Sequence, residues 1–152
     1  MPDEEVVLRD VDEADLEIFL RQEHDPENVR GSKFEPRERE RFMNHWRRNI
    51  LSDPTVHVQT VVVHGAVVGS VVAWWEGDRR FLGYVFGREF WGRGIGTRAV
   101  RLFLSREQDR PLYADPYVGN VGSWRLLEKL GFHRTETITH GENEHYMYVL
   151  DA

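Results

Sequence analysis

The stretch that most constrains the fold is "VHVQTVVVHGAVVGSVVAWWEGDRRFLGYVF", which runs from Val56 to Phe86. It is rich in β-branched and aromatic residues, which favour strands, and turn residues interrupt it at His64-Gly65 and at Glu76-Gly77-Asp78. This pattern predicts three consecutive strands joined by tight turns. Because tight turns join antiparallel strands, we expect the segment to form the centre of an antiparallel sheet.

Helical patterns lie on both sides of these strands. "VVLRDVDEADLEIFLRQEH" predicts a strand and then a helix capped by Asp12, "DPENVRGSKF" predicts a break, and a second helix is expected to begin near Pro36. Beyond the strands we expect a glycine-rich helix start, the short strand "RPLYADPY", a helix from Asn120 to a terminating Gly131, and a closing hairpin.

The order of these elements defines the expected fold class. Helices interrupt a mostly antiparallel series of strands, which is typical of an α/β (α+β) domain with a mixed, twisted sheet of about seven strands and about four helices. A chain of 152 residues suits one domain of this kind, so residues 1–152 are predicted to form a single unit.

The segment "FWGRGIGTRAV" places Gly92, Gly94 and Gly96 directly at a predicted helix start. The first N–H groups of a helix lack intrahelical partners, and the helix dipole adds positive charge at that end. Glycines let an anion approach these groups closely, and Arg93 adds a charge, so we expect the segment to bind a pyrophosphate. The spacing matches neither a dinucleotide-binding fingerprint nor a P-loop, and an ordinary strand-to-helix turn is the alternative.

Together with "NVGSWRLLEKLGF", this segment resembles the GNAT superfamily of acetyl-CoA-dependent N-acetyltransferases. In that family a Q/R-x-x-G-x-G/A loop wraps the pyrophosphate of coenzyme A, and the run from Arg93 to Thr97 matches it. Trp91 before the loop, and the pattern Asn120-x-x-Ser123 followed by Leu-Glu-Lys-Leu-Gly-Phe, resemble the branch that acetylates the N-termini of ribosomal proteins. The resemblance covers nearly the whole chain.

The resemblance implies acetyl-CoA as co-substrate, an amine as acceptor and a sheet that splays where the coenzyme binds. It also implies backbone donors on the strand before the glycine loop, near Val85 to Gly87. The residues expected to contact the coenzyme are Val85, Phe86, Gly87, Gly92, Arg93, Gly94, Ile95, Gly96, Thr97, Asn120 and Ser123.

Two residues are candidates for the acid–base chemistry of the reaction. Many relatives protonate the leaving thiolate with a tyrosine seven positions after the asparagine, but this chain has Leu127 there, so Ser123 is expected to contact the coenzyme sulfur instead. Asp115 is the candidate base, because "ADPYVGN" resembles the "DP...N" arrangement of some aminoglycoside acetyltransferases. Ser123 as an ordinary helix residue and Asp115 as a turn residue are the alternatives, and Glu76 and Glu89 are weaker candidates for the base.

Composition restricts the chemistry and the partners. The chain has no cysteine, so no acetyl-cysteine intermediate can form, and direct attack within a ternary complex is expected. The net charge of −6 argues against nucleic-acid binding, although five arginines lie on or near the glycine segment: Arg88, Arg93, Arg98, Arg101 and Arg106. The seven histidines show no recognised ligand spacing, so no metal is expected.

The remaining expectations concern location and acceptor. No signal sequence or membrane span is recognisable, which favours a cytoplasmic protein without a membrane partner, as a monomer or homodimer. The acceptor is expected to be a protein N-terminus or a small amine such as an aminoglycoside. Trp74, Trp75 and Trp124 either line its pocket or fill the core. A catalytically weak module that only binds coenzyme A is the alternative function.

Overall fold

The computed structural model describes residues 5–152 and contains one seven-stranded sheet. Its strand order is β1-β2-β3-β4-β5-β7-β6, and every neighbouring pair is antiparallel except β4 and β5, which are parallel. This confirms the predicted mixed, mostly antiparallel sheet. The strands are β1 Val6–Arg9, β2 His57–Val63, β3 Ala66–Glu76, β4 Arg79–Phe86, β5 Leu112–Ala114, β6 His133–His140 and β7 Asn143–Leu150.

The described residues form five α-helices. They are α1 Asp15–His24, α2 Pro26–Ser32, α3 Arg39–Asn44, α4 Ile95–Arg106 and α5 Val121–Lys129. A π-helical segment, His45–Leu51, continues α3, and a 3-10 turn, Arg88–Phe90, precedes the glycine segment. Among these helices none has the length and apolar character needed to cross a membrane.

Three local predictions before β2 were wrong. Helix α2 occupies the predicted break, because Asp25 accepts a hydrogen bond from the Glu27 N–H and Pro26 fits a first helical turn. Helix α1 begins at Asp15 rather than beside Asp12, whose carboxylate instead accepts from the Ala14 N–H in the preceding turn. Helix α3 begins at Arg39 behind a Glu38 cap, three residues beyond Pro36.

The sheet separates two hydrophobic clusters. Val67 of β3 packs on a cluster that contains residues of α1, α3 and the π-helical segment. The next residue, Val68, lies in a cluster that joins the strands to α4 and α5. In α4, buried Ile95 and Phe103 each contribute roughly 1.5–3 kcal/mol of burial free energy. Burial of these side chains therefore holds α4 against the sheet, with the glycine segment at its start.

The two parallel strands separate soon after they meet. Pairing between β4 and β5 is confined to Arg80 with Leu112 and Phe81 with Tyr113. β5 ends at Ala114, whereas β4 continues to Phe86. The sheet therefore opens between them, on the side where the glycine segment and α5 begin.

Candidate active site

The glycine segment forms a solvent-facing turn at the start of α4. Gly92 and Gly94 have φ angles of 77° and 75°, which glycine adopts without the steric cost of a Cβ atom. Residues 91–94 are exposed, and Gly94 has no side chain to cap the helix that begins at Ile95. The Arg93 guanidinium lies 5.8 Å from the centre of the Phe90 ring. The turn therefore offers a helix N-terminus to an anion from solvent.

The other members of the segment lie deeper. The Ile95 side chain is buried in the core, so only its backbone is available to a ligand, and Thr97 is half-buried. A Cβ atom on Gly96 would lie 3.1 Å from Phe86 Cε2 and 3.2 Å from Leu126 Cδ1. The structure thus gives Gly96 a role that the sequence did not suggest: its missing side chain lets α4 pack against β4 and α5.

The backbone N–H and C=O groups of successive β4 residues point alternately toward β3 and toward the open edge. The Gly87 N–H donates to the Val68 carbonyl at 2.9 Å, and Val85 stands opposite Ser70 two residues away, so both residues direct their backbone groups to β3. The backbone groups of Tyr84 and Phe86 point to the edge that β5 vacates. Of the predicted backbone donors Val85 to Gly87, only Phe86 directs its N–H to the open edge. Tyr84, which was not predicted, does so as well.

The end of β4 is held by two side chains from separate elements. The Phe86 carbonyl accepts from Asn28 Nδ2 at 3.2 Å and from Trp91 Nε1 at 3.1 Å. Asn28 also donates to the Gln22 carbonyl at 2.9 Å, which ties α2 to α1. Sequence reasoning missed Asn28, because its helix was predicted as a break.

Across the opening, Asn120 caps α5 as predicted, and its Oδ1 accepts from the Ser123 N–H at 3.4 Å. A Cβ atom on Gly31 of α2 would lie 3.9 Å from the Asn120 side chain. Helix α2 therefore reaches from the end of β4 to the start of α5 and borders the opening between them.

Ser123 has a partner that the sequence did not indicate. Its Oγ lies 2.7 Å from the phenol oxygen of Tyr84 on β4. Burial raises the pKa of Tyr84, and the hydrogen bond with Ser123 offsets only part of that rise. The phenol is therefore neutral at physiological pH. The sequence did not single out Tyr84, because aromatic residues are common in strands and nothing along the chain marks its partner.

Asp115 follows β5 and contacts two histidines of the last hairpin. Its Oδ2 lies 3.1 Å from His140 Nε2, and its carbonyl oxygen lies 2.8 Å from His145 Nδ1. The weaker candidates for the base lie in turns: Glu76 at the β3–β4 turn accepts from Trp74 Nε1 at 3.2 Å, and Glu89 is exposed in the 3-10 turn.

The three tryptophans differ in environment. Trp124 is half-buried and donates to the Val118 carbonyl at 3.1 Å, and Trp74 stacks on Phe81 with ring centres 6.0 Å apart. Trp75 is largely exposed, with the Arg80 guanidinium 5.3 Å from its ring. Trp124 and Trp74 therefore contribute to packing.

The sheet opens beside a glycine-rich helix start, as the resemblance to acetyltransferases implies. The family model described as "Acetyltransferase (GNAT) domain" matches residues 5–133, and the chain belongs to this family. This confirms the resemblance seen in the sequence. A comparison with curated protein sequences found no match.

Solved structures share the fold at low sequence identity. A domain from Methanocaldococcus jannaschii has a TM-score of 0.80 and 24% identity over 99% of this chain and 100% of that one. Aminoglycoside acetyltransferase AAC(6')-Ib in complex with coenzyme A and kanamycin has a TM-score of 0.78 and 21% identity over 97% and 95%. Spermidine N-acetyltransferase from Vibrio cholerae, in complex with coenzyme A and spermine, has a TM-score of 0.79 and 16% identity over 96% and 95%.

Proposed function

We propose that this chain transfers the acetyl group of acetyl-CoA to a primary amine by direct attack within a ternary complex. The observation that carries the proposal is the opening between β4 and β5, with the solvent-facing Gly92–Gly94 turn at its end. Membership of an acetyltransferase family supports it, and so do structural neighbours described with coenzyme A bound.

The glycine segment would hold the pyrophosphate of the coenzyme. Its exposed turn and the positive end of the α4 dipole attract an anion, and Arg93 adds a full charge beside them. Asn120, at the start of α5 on the other side of the opening, is the proposed second contact.

The open edge of β4 would hold the arm that carries the thioester. Tyr84 and Phe86 offer backbone groups there in the manner of an unpaired strand, and the Phe86 N–H is the proposed donor to the carbonyl oxygen as it gains negative charge. Asn28 and Trp91 donate to the Phe86 carbonyl, which belongs to the next peptide, Phe86–Gly87, and so hold the end of the strand beside this N–H.

The reaction forms one bond and breaks another. The amine nitrogen attacks the thioester carbon, the carbon–sulfur bond breaks, and the sulfur leaves as a thiolate that takes up a proton from solvent. Asp115 is proposed to accept the proton of the amine, and the Ser123 hydroxyl to donate a hydrogen bond to the departing sulfur. Neutral Tyr84 orients that hydroxyl.

The acceptor is proposed to be a small cationic amine or a protein N-terminus. Two neighbours are described with kanamycin and with spermine, and the net charge of −6 favours a cation. A weak coenzyme-binding module is the second candidate, because the position of the usual tyrosine is occupied by Leu127, which is fully buried in the core.

A matched pair of glycine variants tests the coenzyme site. Gly92 and Gly65 have φ angles of 77° and 76°, and a Cβ atom on either would meet nothing within 4 Å, so alanine strains both turns equally. We expect Gly92→Ala to weaken coenzyme A binding in calorimetry and Gly65→Ala to leave it unchanged. Equal affinities of both variants and the parent would contradict the proposed pyrophosphate site.

An amine panel separates the enzyme from the binding module. Release of free thiol from acetyl-CoA is measured with aminoglycosides, polyamines and peptides that carry free N-termini, and the acetylated product is identified by mass. Amine-dependent thiol release is expected. Coenzyme binding without release across the panel would favour the module.

A further inference from the structure

Three metal-ligating side chains that are distant in sequence converge beside the opening. Asp115 follows β5, His140 ends β6 and His145 lies in β7. One ligand atom from each residue can be chosen so that all three lie within 4.8 Å of one another. Sequence spacing could not reveal this group, because it forms only when β5 and the last hairpin become neighbours in the sheet.

The backbone around His145 is held in place. The Tyr146 N–H donates to the Pro116 carbonyl at 3.0 Å, and Tyr117 forms a bridge with His145. These contacts attach β7 to the segment that carries Asp115. Two of the three side chains are thus positioned by backbone pairing.

His145 has the hydrogen bond that orients a metal-binding imidazole. Its Nδ1 lies 2.8 Å from the Asp115 carbonyl, which can only accept, so Nδ1 carries the proton. In the neutral ring Nε2 is then a free lone pair. Metal-ligating histidines commonly donate their second N–H to a backbone carbonyl in this way.

The spacing of the other ligands also suits a small cation. His140 Nε2 and Asp115 Oδ2 are 3.1 Å apart, and ligands about 2.0–2.1 Å from a tetrahedral zinc ion are roughly 3.3 Å from each other. The His140 and His145 rings meet edge to face, with centres 4.6 Å apart. The His140 side chain is 55% exposed, so it can rotate toward the other two ligands.

We propose that Asp115, His140 and His145 form a site for a divalent transition-metal ion such as Zn²⁺, with solvent in the remaining position. Two imidazoles and one carboxylate suit Zn²⁺, Co²⁺ and Ni²⁺ better than Mg²⁺ or Ca²⁺, which take oxygen ligands. A carboxylate that binds the metal is a much weaker proton acceptor, because the charge of the cation opposes protonation. Metal binding therefore inhibits acetyl transfer, a consequence that rests on the proposed function.

Calorimetric titration of Zn²⁺ into the full chain, freed of metal by a chelator and without substrates, tests the site. One ion per chain is expected, and Co²⁺ is expected to give the visible absorption of a low-coordinate complex. His140→Ala and Asp115→Asn should each weaken Zn²⁺ binding by at least about tenfold, since even the loss of an outer hydrogen-bond partner costs that much.

His133→Ala is the matched control. His133 Nε2 lies 3.4 Å from an Asp151 carboxylate oxygen, so this variant removes an exposed histidine–carboxylate pair outside the proposed site. It should bind Zn²⁺ like the parent chain. No one-to-one binding, binding that survives His140→Ala and Asp115→Asn, or equal losses in His133→Ala would each overturn the proposal.

An inhibition assay separates the two proposals. Zn²⁺ should reduce the acetylation rate of the parent chain at concentrations that leave His140→Ala unaffected. If Zn²⁺ binds as expected but no amine is acetylated, the metal site stands and the proposed function fails. If Zn²⁺ inhibits both proteins equally, the link between this site and the reaction is wrong.

Discussion

The phenol oxygen of Tyr84 lies 2.7 Å from the hydroxyl oxygen of Ser123, and this contact joins β4 to the first turn of α5 across the opening. The phenol also lies 3.3 Å from the Ser123 carbonyl oxygen. Because burial raises the pKa of Tyr84, the phenol is a poor proton source and acts through its hydrogen bond. We infer that it directs the Ser123 hydroxyl toward the bound coenzyme.

Tyr84→Phe tests this inference. Removing one neutral hydrogen bond of about 1 kcal/mol should lower kcat roughly fivefold, while the Kd for coenzyme A stays the same. The double variant with Ser123→Ala should be no slower than Ser123→Ala alone, because Tyr84 acts through Ser123. Full additivity of the two effects in kcat would show that the residues act independently.

The sequence predicted the elements whose signals are local. β-Branched runs separated by turns predicted the strands β2, β3 and β4. The position of Asn120 before an apolar helical pattern predicted its role as a cap. Helix α2 also has local signals in Asp25 and Pro26, but it is only seven residues long and contains Gly31. A short segment with an internal glycine gives only a weak helical signal, so a break was predicted there.

The site could be predicted only in part, because its geometry depends on strand register. The glycine segment was recognisable from its composition, yet the direction of the Val85 and Gly87 amides follows from the pairing of β4 with β3. Tyr84 and Asn28 act through partners 39 and 58 residues away. No pattern along the chain indicates such contacts.

Gly96→Ala tests the packing role of this glycine. The new methyl group would press on Phe86 and Leu126, and overpacking of this kind costs about 1–3 kcal/mol. We expect a lower melting temperature in thermal unfolding. Gly122→Ala, at the matching second position of α5, is the control, since its methyl group meets nothing within 4 Å and should not lower the melting temperature. A Gly96→Ala protein as stable as the parent would disprove the packing role.

Asn28→Ala tests whether α2 depends on its attachment to β4. The variant loses the donors to the Phe86 and Gln22 carbonyls, so α2 should open more often and its amides should exchange faster with deuterium. Ser32→Ala is the control, because the hydrogen bonds of its hydroxyl within residues 5–152 are local, to the Asn28 carbonyl and the Phe34 N–H. Unchanged exchange in Asn28→Ala would mean that other contacts hold the helix.

A buried ion pair makes the stability of the fold sensitive to acid. Arg80 Nη2 lies 3.0 Å from Glu107 Oε1, and the two side chains are 4% and 3% exposed. Burial by itself raises the pKa of Glu107, but hydrogen bonds from Arg80, the Asp109 N–H and His57 outweigh it and lower the pKa below its usual value of 4.5. Glu107 therefore takes up a proton less readily in the folded chain than in the unfolded one.

The sign of the pH dependence follows from this shift. The stabilisation by Glu107 is complete well above pH 4.5 and is lost as the pH falls through the lower, folded pKa. Glu107→Gln should lower the free energy of unfolding at neutral pH by roughly 3 kcal/mol, because Arg80 loses its buried partner. Its stability should also fall less steeply than that of the parent below pH 4.5 in urea unfolding at a series of pH values. Parallel curves for the two proteins would show that the pair does not control acid unfolding.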